Sequence, residues 1–420
     1  MTPARFQIEQ HTLSNGLRVV LQPDRSLPLV AINLWYHVGS KNEAPGKTGL
    51  AHLFEHMLFQ GSQHVGKNDH FRLVQKVGGV ANGSTWFDRT NYYETLPSHC
   101  LSLGLWLESD RMGFFLPALD TEKLENQREV VMNERRQRVE NQPYGQAFER
   151  LNETLFPDDH PYRWPVIGYM EDIAAADQED VETFFRTYYA PDNAVLTLAG
   201  HFDPDTALEL VETYFGSLPR GGDRPSVSAT LPDDSLGQVV TLEDDVQLPR
   251  VYTAFRLPPF GTPEWYSADL LSTALAGGKT SPLYRQLVYE RQIAQDVSAF
   301  VLPTELASSF IVVATGRPDV ELPEMEEVIH SAIDAAADGD FGNGDLERAR
   351  NKLITSYSDQ LQALDDRADL LSMFATYFDD PHRITSEIDR YVEQAPEDLA
   401  RVARDRLAPE KAVTLRVVPR

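Results

Sequence analysis

Two spacings of apolar residues alternate along the chain. Short runs rich in branched and aromatic residues, Leu17 to Leu21, Ala31 to Tyr36 and Val195 to Leu198, have the make-up of strands. Between them, apolar residues recurring every three or four positions predict helices over Thr48 to Leu58, Leu101 to Arg111 and Glu122 to Glu140. Hairpin-like spacing at the start, followed by long helices, predicts the α+β class: a mostly antiparallel sheet covered by helices.

The pattern occurs twice. Glu179-Asp180-Val181, an amphipathic stretch and Ala190-Pro191-Asp192-Asn193-Ala194-Val195-Leu196-Thr197-Leu198 are matched 218 residues later by Glu397-Asp398-Leu399 and Ala408-Pro409-Glu410-Lys411-Ala412-Val413-Thr414-Leu415. Leu27-Pro28 before Val30 to Tyr36 is echoed by Leu248-Pro249 before Val251 to Leu257, at an offset of 221. A shared offset at separate places points to a duplicated unit, hence two tandem homologous domains. The stretch from Leu218 to Ser235 is rich in Gly, Pro and Ser and has the composition of a linker. The expected organisation is therefore a first domain over 1–217, a linker over 218–235 and a second domain over 236–420.

Composition narrows the chemistry. With 420 residues and 42% hydrophobic content the chain can bury substantial cores, and 38 basic against 64 acidic residues leave a formal charge of −26. Such a charge opposes binding to nucleic acid or to anionic membranes. No apolar run approaches the 18 or so residues that cross a bilayer. Met1 to Gln10 lacks the charged and apolar regions of a leader, so the chain reads as cytoplasmic; a periplasmic setting would require a leader removed before this numbering. The single cysteine, Cys100, excludes an intrachain disulfide and a thiolate-rich metal site. Any metal must be held by histidines and carboxylates.

One segment supplies them. Within the predicted helix Gly49-Leu50-Ala51-His52-Leu53-Phe54-Glu55-His56-Met57-Leu58-Phe59, His52 and His56 are i and i+4 neighbours, a spacing that lets two imidazoles meet one metal. Glu55 lies on the same half of the helix, where a carboxylate can take a proton from water held at that metal. The order His-x-x-Glu-His inverts the His-Glu-x-x-His of many zinc proteases but keeps two ligands and one base. A hydrolytic zinc needs a third protein ligand. The stretch Leu124 to Glu140 offers Glu125, Glu129, Glu134 and Glu140, and spacing alone leaves the choice among them open.

Together these residues resemble the inverted zincins, the family of pitrilysin, insulin-degrading enzyme and the mitochondrial processing peptidase. The likeness covers essentially the whole chain: the His-x-x-Glu-His helix followed by Met-Leu-Phe, Asn82-Gly83-Ser84-Thr85 leading to Thr90-Asn91-Tyr92-Tyr93, Arg128-Glu129-Val130-Val131-Met132-Asn133-Glu134, and the repeated half. The resemblance implies a zinc endopeptidase with one ion per chain on His52, His56 and Glu134, and with Glu55 as general base. Seven residues before the third ligand the family often carries a supporting Glu. Here that position is Gln127, with Glu129 or Glu125 as substitutes. The resemblance also implies that Asn82, Gly83, Ser84 and Thr85 form an edge strand that pairs with an extended peptide substrate.

The second half has no His-x-x-Glu-His around Ser267 to Gly277 and resembles the family's inactive repeat. In the family that repeat supplies an Arg and, seven residues on, a Tyr that bind substrate and stabilise the oxyanion. Aligning Ser281-Pro282-Leu283-Tyr284-Arg285-Gln286-Leu287 on this pattern puts Val288 and Gln295 at the two positions, and neither can do the work. Either a homologous partner subunit supplies the pair, which makes this chain the metal-bearing half of a heterodimer acting on short or unfolded peptides, or Tyr284, Arg285, Tyr289 or Arg291 moves into place. The competing readings are a non-catalytic scaffold subunit that keeps the fold, and a homodimeric peptidase that dispenses with the pair.

Overall fold

A computed structural model describes residues 6–231, 236–342 and 344–420; residues 232–235 of the expected linker lie outside the described residues. The strands are β1 (Glu9–Thr12), β2 (Arg18–Pro23), β3 (Leu29–Tyr36), β4 (Val80–Thr85), β5 (Thr90–Pro97), β6 (Ala194–Gly200), β7 (Gln238–Asp244), β8 (Arg250–Leu257), β9 (Ala294–Val301), β10 (Ser308–Gly316) and β11 (Val413–Pro419). The helices of the first half are α1 (Leu50–Met57), α2 (Asp69–Lys76), α3 (Leu101–Phe114), α4 (Thr121–Arg135), α5 (Ala147–Leu155), α6 (Met170–Ala175), α7 (Gln178–Tyr188) and α8 (Pro204–Phe215). Those of the second are α9 (Pro263–Ala276), α10 (Pro282–Tyr284), α11 (Leu322–Ala337), α12 (Asp345–Gln360), α13 (Leu364–Phe378), α14 (Glu387–Val392) and α15 (Pro396–Arg406). The helix expected over Glu122 to Glu140 is α-helical only as far as Arg135; Arg136–Glu140 continues as a wider, π-type turn.

The described residues form two compact units. In the first, six strands lie in the order β1-β2-β6-β3-β5-β4, all neighbours antiparallel except β2 and β6. The period of two sorts β3 cleanly. Ile32, Leu34 and Tyr36 enter the main core with Tyr92 and Leu96 of β5 and Leu196 and Leu198 of β6, against α1, α3 and α7. Ala31, Asn33 and Trp35 face the other side. In the second unit the order is β7-β11-β8-β10-β9, again with one parallel pair, β7 and β11. Its inner face, with Val251, Phe255, Phe310 and Val312, packs on residues of α9, α11 and α15. Strand for strand, β2, β3, β4, β5 and β6 correspond to β7, β8, β9, β10 and β11, which is the duplication in three dimensions.

The units do not follow the contiguous division at the linker. Their boundary at Val227 and Ser228 falls inside 218–235, and 219–231 carries neither helix nor strand, but two segments change sides. Residues 136–163, with α5, belong to the second unit, and residues 359–386, with α13, belong to the first. The reason is that a sheet whose outer face is also apolar needs a second cover. In the first unit that cover is α13. Ala368 is buried against Ala31 and Ala199, small residues that let the helix sit close to the sheet. Ser372 Oγ donates to Thr197 Oγ1 at 2.8 Å, Arg18 Nη1 donates to the Ala375 carbonyl at 2.7 Å, and Tyr377 meets Trp35 edge to face at 5.5 Å. In the second unit Phe148 of α5 meets Tyr252 of β8 edge to face at 5.6 Å. No apolar period distinguishes a helix that covers its own sheet from one that covers its twin's.

Because Ala368 is buried against Ala31 and Ala199, Ala368→Leu should lower stability by about 1–3 kcal/mol, whereas Ala368→Gly, which removes bulk, should avoid this overpacking cost. Denaturant unfolding of the two variants checks this.

Candidate active site

Helix α1 is held at its N-terminus by a carboxylate from outside it. Glu43 Oε2 accepts from the Gly49 amide at 2.9 Å and Oε1 from the Ala51 amide at 2.8 Å, satisfying donors that a helix start leaves open. Burial pushes the Glu43 carboxyl well above the usual range, against the pull of those amides. Gly49 has φ 87°, and a Cβ there would lie 2.7 Å from the Ile167 carbonyl oxygen, so only glycine starts this helix. Thr48 donates amide and hydroxyl to Asp172 Oδ2 and accepts from the Tyr169 amide, tying the same turn to α6. On the buried face Phe54 stacks on Phe184, Phe185 and Tyr189 with ring centroids 5.5, 6.1 and 4.9 Å away.

The other face carries His52, Glu55 and His56. Their rings and the Glu134 carboxylate of α4 converge: Glu134 Oε2 lies 3.2 Å from His56 Nε2 and 3.9 Å from His52 Nε2, and the two imidazole centroids are 4.8 Å apart at 73°. One donor atom from each of the three residues falls within 4.8 Å of the others. Two ligands about 2.0–2.1 Å from a tetrahedral zinc are separated by about 3.4 Å, so two nitrogens and an oxygen spaced in this way fit a borderline divalent cation. Helix α4 is anchored for this by Leu124 and Val131 in the core and by Arg135, whose Nη1 donates to the Gly168 carbonyl at 2.9 Å. Gln127, seven residues before Glu134 and so on the same face, is buried. Glu125 and Glu129 are not brought to the trio. They are exposed and line a shallow groove with Arg128, Glu129 being turned about 140° from Glu134 by helix geometry.

Glu55 is held by the neighbouring strand. Its Oε2 accepts from Thr85 Oγ1 at 2.8 Å, and burial raises its pKa, opposed by that hydrogen bond and by His56. Gly83 sits directly over it: a Cβ at that position would lie 3.2 Å from Glu55 Cγ and 3.1 Å from the Phe59 ring. Asn82, Gly83, Ser84 and Thr85 all belong to β4, which ends the sheet and, among the described residues, pairs only with β5. Gly83 and Thr85 face α1; Asn82 and Ser84 face away. In the second unit Val288 lies half-buried in a widened turn, Arg285–Glu290, and Gln295 is exposed on β9. Tyr289 is 75% exposed, Arg285 pairs with Glu290 at 3.4 Å and Arg291 with Glu324 at 3.9 Å. No described helix is long and apolar enough to cross a membrane.

Two family models match the chain, one described as insulinase, peptidase family M16, over residues 18–163, the other as the peptidase M16 inactive domain over residues 175–353. Zinc protease PqqE of Helicobacter pylori is 28% identical over 417 residues, covering 98% of this chain and 93% of that protein. The beta subunit of the mitochondrial-processing peptidase of Lentinula edodes is 24% identical over 360 residues, 82% of this chain and 76% of its own. A crystal structure of a protease from Helicobacter pylori superposes with a TM-score of 0.92 at 27% identity, covering 99% of this chain and all of that one.

Under the site lies a charged cluster that periodicity does not reveal, although Glu94 falls in the inward alternation Tyr92, Glu94, Leu96. His70 of α2, Glu94 of β5 and Glu108 and Arg111 of α3 are all buried. Ligand atoms of His70, Glu94 and Glu108 also fall within 4.8 Å of one another, but Arg111 occupies the cation's place. Its Nη2 is 2.7 Å from Glu108 Oε1 and 2.7 Å from His70 Nε2, and its guanidinium lies over the rings of Phe59 and Tyr92 at 4.8 and 4.5 Å. Burial and the Arg111 charge hold His70 down to about 3, and burial pushes Glu94 and Glu108 up to about 7. A carboxyl raised in the folded state binds a proton that the unfolded chain has released, so its ionisation costs stability as pH climbs from about 4.3 through 7. Glu94→Gln should therefore be near neutral at pH 4 and stabilising by on the order of 3 kcal/mol at pH 8, as read by thermal unfolding at the two pH values.

Proposed function

Because the chain belongs to the M16 peptidase family, we propose that it is a zinc endopeptidase in which His52, His56 and Glu134 hold one ion and Glu55 is the general base. The observation that carries this reading is the convergence of two imidazoles and one carboxylate on a single point beside the Glu55 carboxylate. When bound, the ion supplies Lewis acidity, acidifying water and polarising a peptide carbonyl. Thr85 holds one oxygen of Glu55, which leaves the other to take the proton of the attacking water and to return it to the departing amine. Gln127 buried on the Glu134 face is the supporting residue in this reading; Glu129 is not.

Substrate would bind as an added strand. The outer edge of β4 offers main-chain donors and acceptors to any extended peptide, and Gly83 brings that backbone close to Glu55. Folded proteins, whose backbones are already paired, would be poor substrates. The chain carries one cysteine and needs no oxidising compartment, which fits a cytoplasmic setting. With Val288 and Gln295 at the positions expected for Arg and Tyr, a homologous partner subunit supplies the pair in this reading. A relative named as one subunit of a peptidase supports it.

Metal analysis and peptide cleavage test the assignment. His52→Ala and Glu134→Ala should lose the ion on dialysis; stoichiometric zinc in both would sink the ligand set. Glu55→Gln should keep zinc while turnover falls about 10²- to 10⁴-fold, the usual loss for a general base. The chain alone should cleave peptides weakly and gain activity with a similar-sized partner that lacks the metal motif but has the Arg and Tyr. Full activity of a monomer or homodimer, measured after size exclusion, would remove the partner from the account.

A further inference from the structure

Among the described residues, strand β4 has a neighbour on one side only, yet it must present its edge at a fixed height over Glu55. Backbone pairing with β5 supplies part of that order. The rest comes through side chains on the face turned away from α1. Ser84 Oγ donates to Asn91 Oδ1 at 2.7 Å. Asn91, buried in β5, donates its Nδ2 to Asp369 Oδ1 at 2.9 Å. The same carboxylate oxygen accepts from Trp35 Nε1 at 2.8 Å and Asn33 Nδ2 at 3.2 Å, both on β3.

The line is directional. A carboxylate only accepts, so Asn91 must turn its NH₂ toward Asp369, and its carbonyl oxygen is left facing Ser84. That makes the Ser84 hydroxyl the donor and fixes its rotamer on the edge strand. Asp369 is itself well placed, since α13 is pinned to the sheet by Ser372, by the Arg18 contact to Ala375 and by an Arg367 to Asp24 ion pair at 2.9 Å. Hydrogen bonds to an ionised acceptor are also the stronger kind.

We propose that Asp369 is a positioning residue for the edge strand, acting through Asn91 and Ser84, so that a helix from the metal-free half sets the register surface on which substrate is held. The consequence for substrate rests on the reading of β4 as the pairing strand; the ordering of β4 does not.

Hydrogen exchange on the full zinc-loaded chain tests it, read over Val80–Thr85. Ser84→Ala and Asp369→Ala should each speed exchange there about 3- to 10-fold, the scale of one lost hydrogen bond, and the double variant should add nothing further because both cut one line. KM for an extended peptide should rise by a similar factor with kcat within about twofold, since the edge contact is made equally in ground and transition states. Exchange in β4 at the wild-type rate in either single variant, or a double variant showing the product of the two effects, would overturn the proposal. If Asp369→Ala does not fold, Asp369→Ser, whose oxygen stops about 1 Å short of the carboxylate position and so no longer accepts from Asn91 at hydrogen-bond distance, decides with Ser84→Ala in the same way. A wild-type chain that cleaves nothing would refute the peptidase reading, while the exchange rates would still decide the role of Asp369.

Discussion

At the centre of each sheet, in β3, β5 and β6 of the first and β8, β10 and β11 of the second, neither face is left open to water. That constraint organises the rest. The inner faces are covered by helices of the same half, and the outer faces by the fifth helix of one half and its counterpart α13 in the other, each of which leaves its own half. The duplication thus yields two similar sheets, each completed by a helix from the other half of the sequence. On the first unit the cover is partly polar: Asn33, Asn91 and Thr197 are buried beneath α13 and satisfied by Asp369 and Ser372. A buried amide without such partners would cost on the order of 1–3 kcal/mol, so these contacts fix where α13 sits as well as whether it sits.

The inner face shows the same economy under a heavier load. Arg111, Glu108, Glu94 and His70 place charge in the core beneath α1, and Gly104 on α3 has no side chain because a Cβ there would collide with the Glu94 carboxylate. Replacing such a cluster with apolar residues is often neutral or stabilising, so stability does not explain its presence. Its contacts do something more specific: the Arg111 guanidinium lies over Phe59 and Tyr92, and Tyr92 donates to the Phe54 carbonyl near the end of α1. The helix that carries the two histidines is thereby braced from Glu43 at its start and from this layer at its end.

What could be read from the sequence followed from local spacing. The i, i+4 pair His52 and His56, the inward Glu55 and the strand at Val195 to Leu198 need only the periods of helix and strand. Glu134 did not follow from spacing, since four glutamates fit the helix equally; it required the resemblance, and α4 turns Glu129 and Glu125 to solvent while Glu134 meets the histidines. Glu43 was invisible because a carboxylate capping a helix from seven residues upstream leaves no pattern. The exchange of α5 and α13 was invisible for a deeper reason: the apolar faces of the two helices record that each covers a sheet, and two homologous sheets present nearly the same surface.

The exchange also sets a timetable for synthesis. Strand β6 completes the first sheet at Gly200, but α13, which closes its outer face, begins only at Leu364, 164 residues later. At about 5–20 residues per second the ribosome needs roughly 8 to 30 s to make that stretch, long compared with the collapse of a domain. For that interval Trp35, Ala31 and Ala199 form an open apolar surface on a nascent chain, and the first unit cannot finish folding before most of the second has been made.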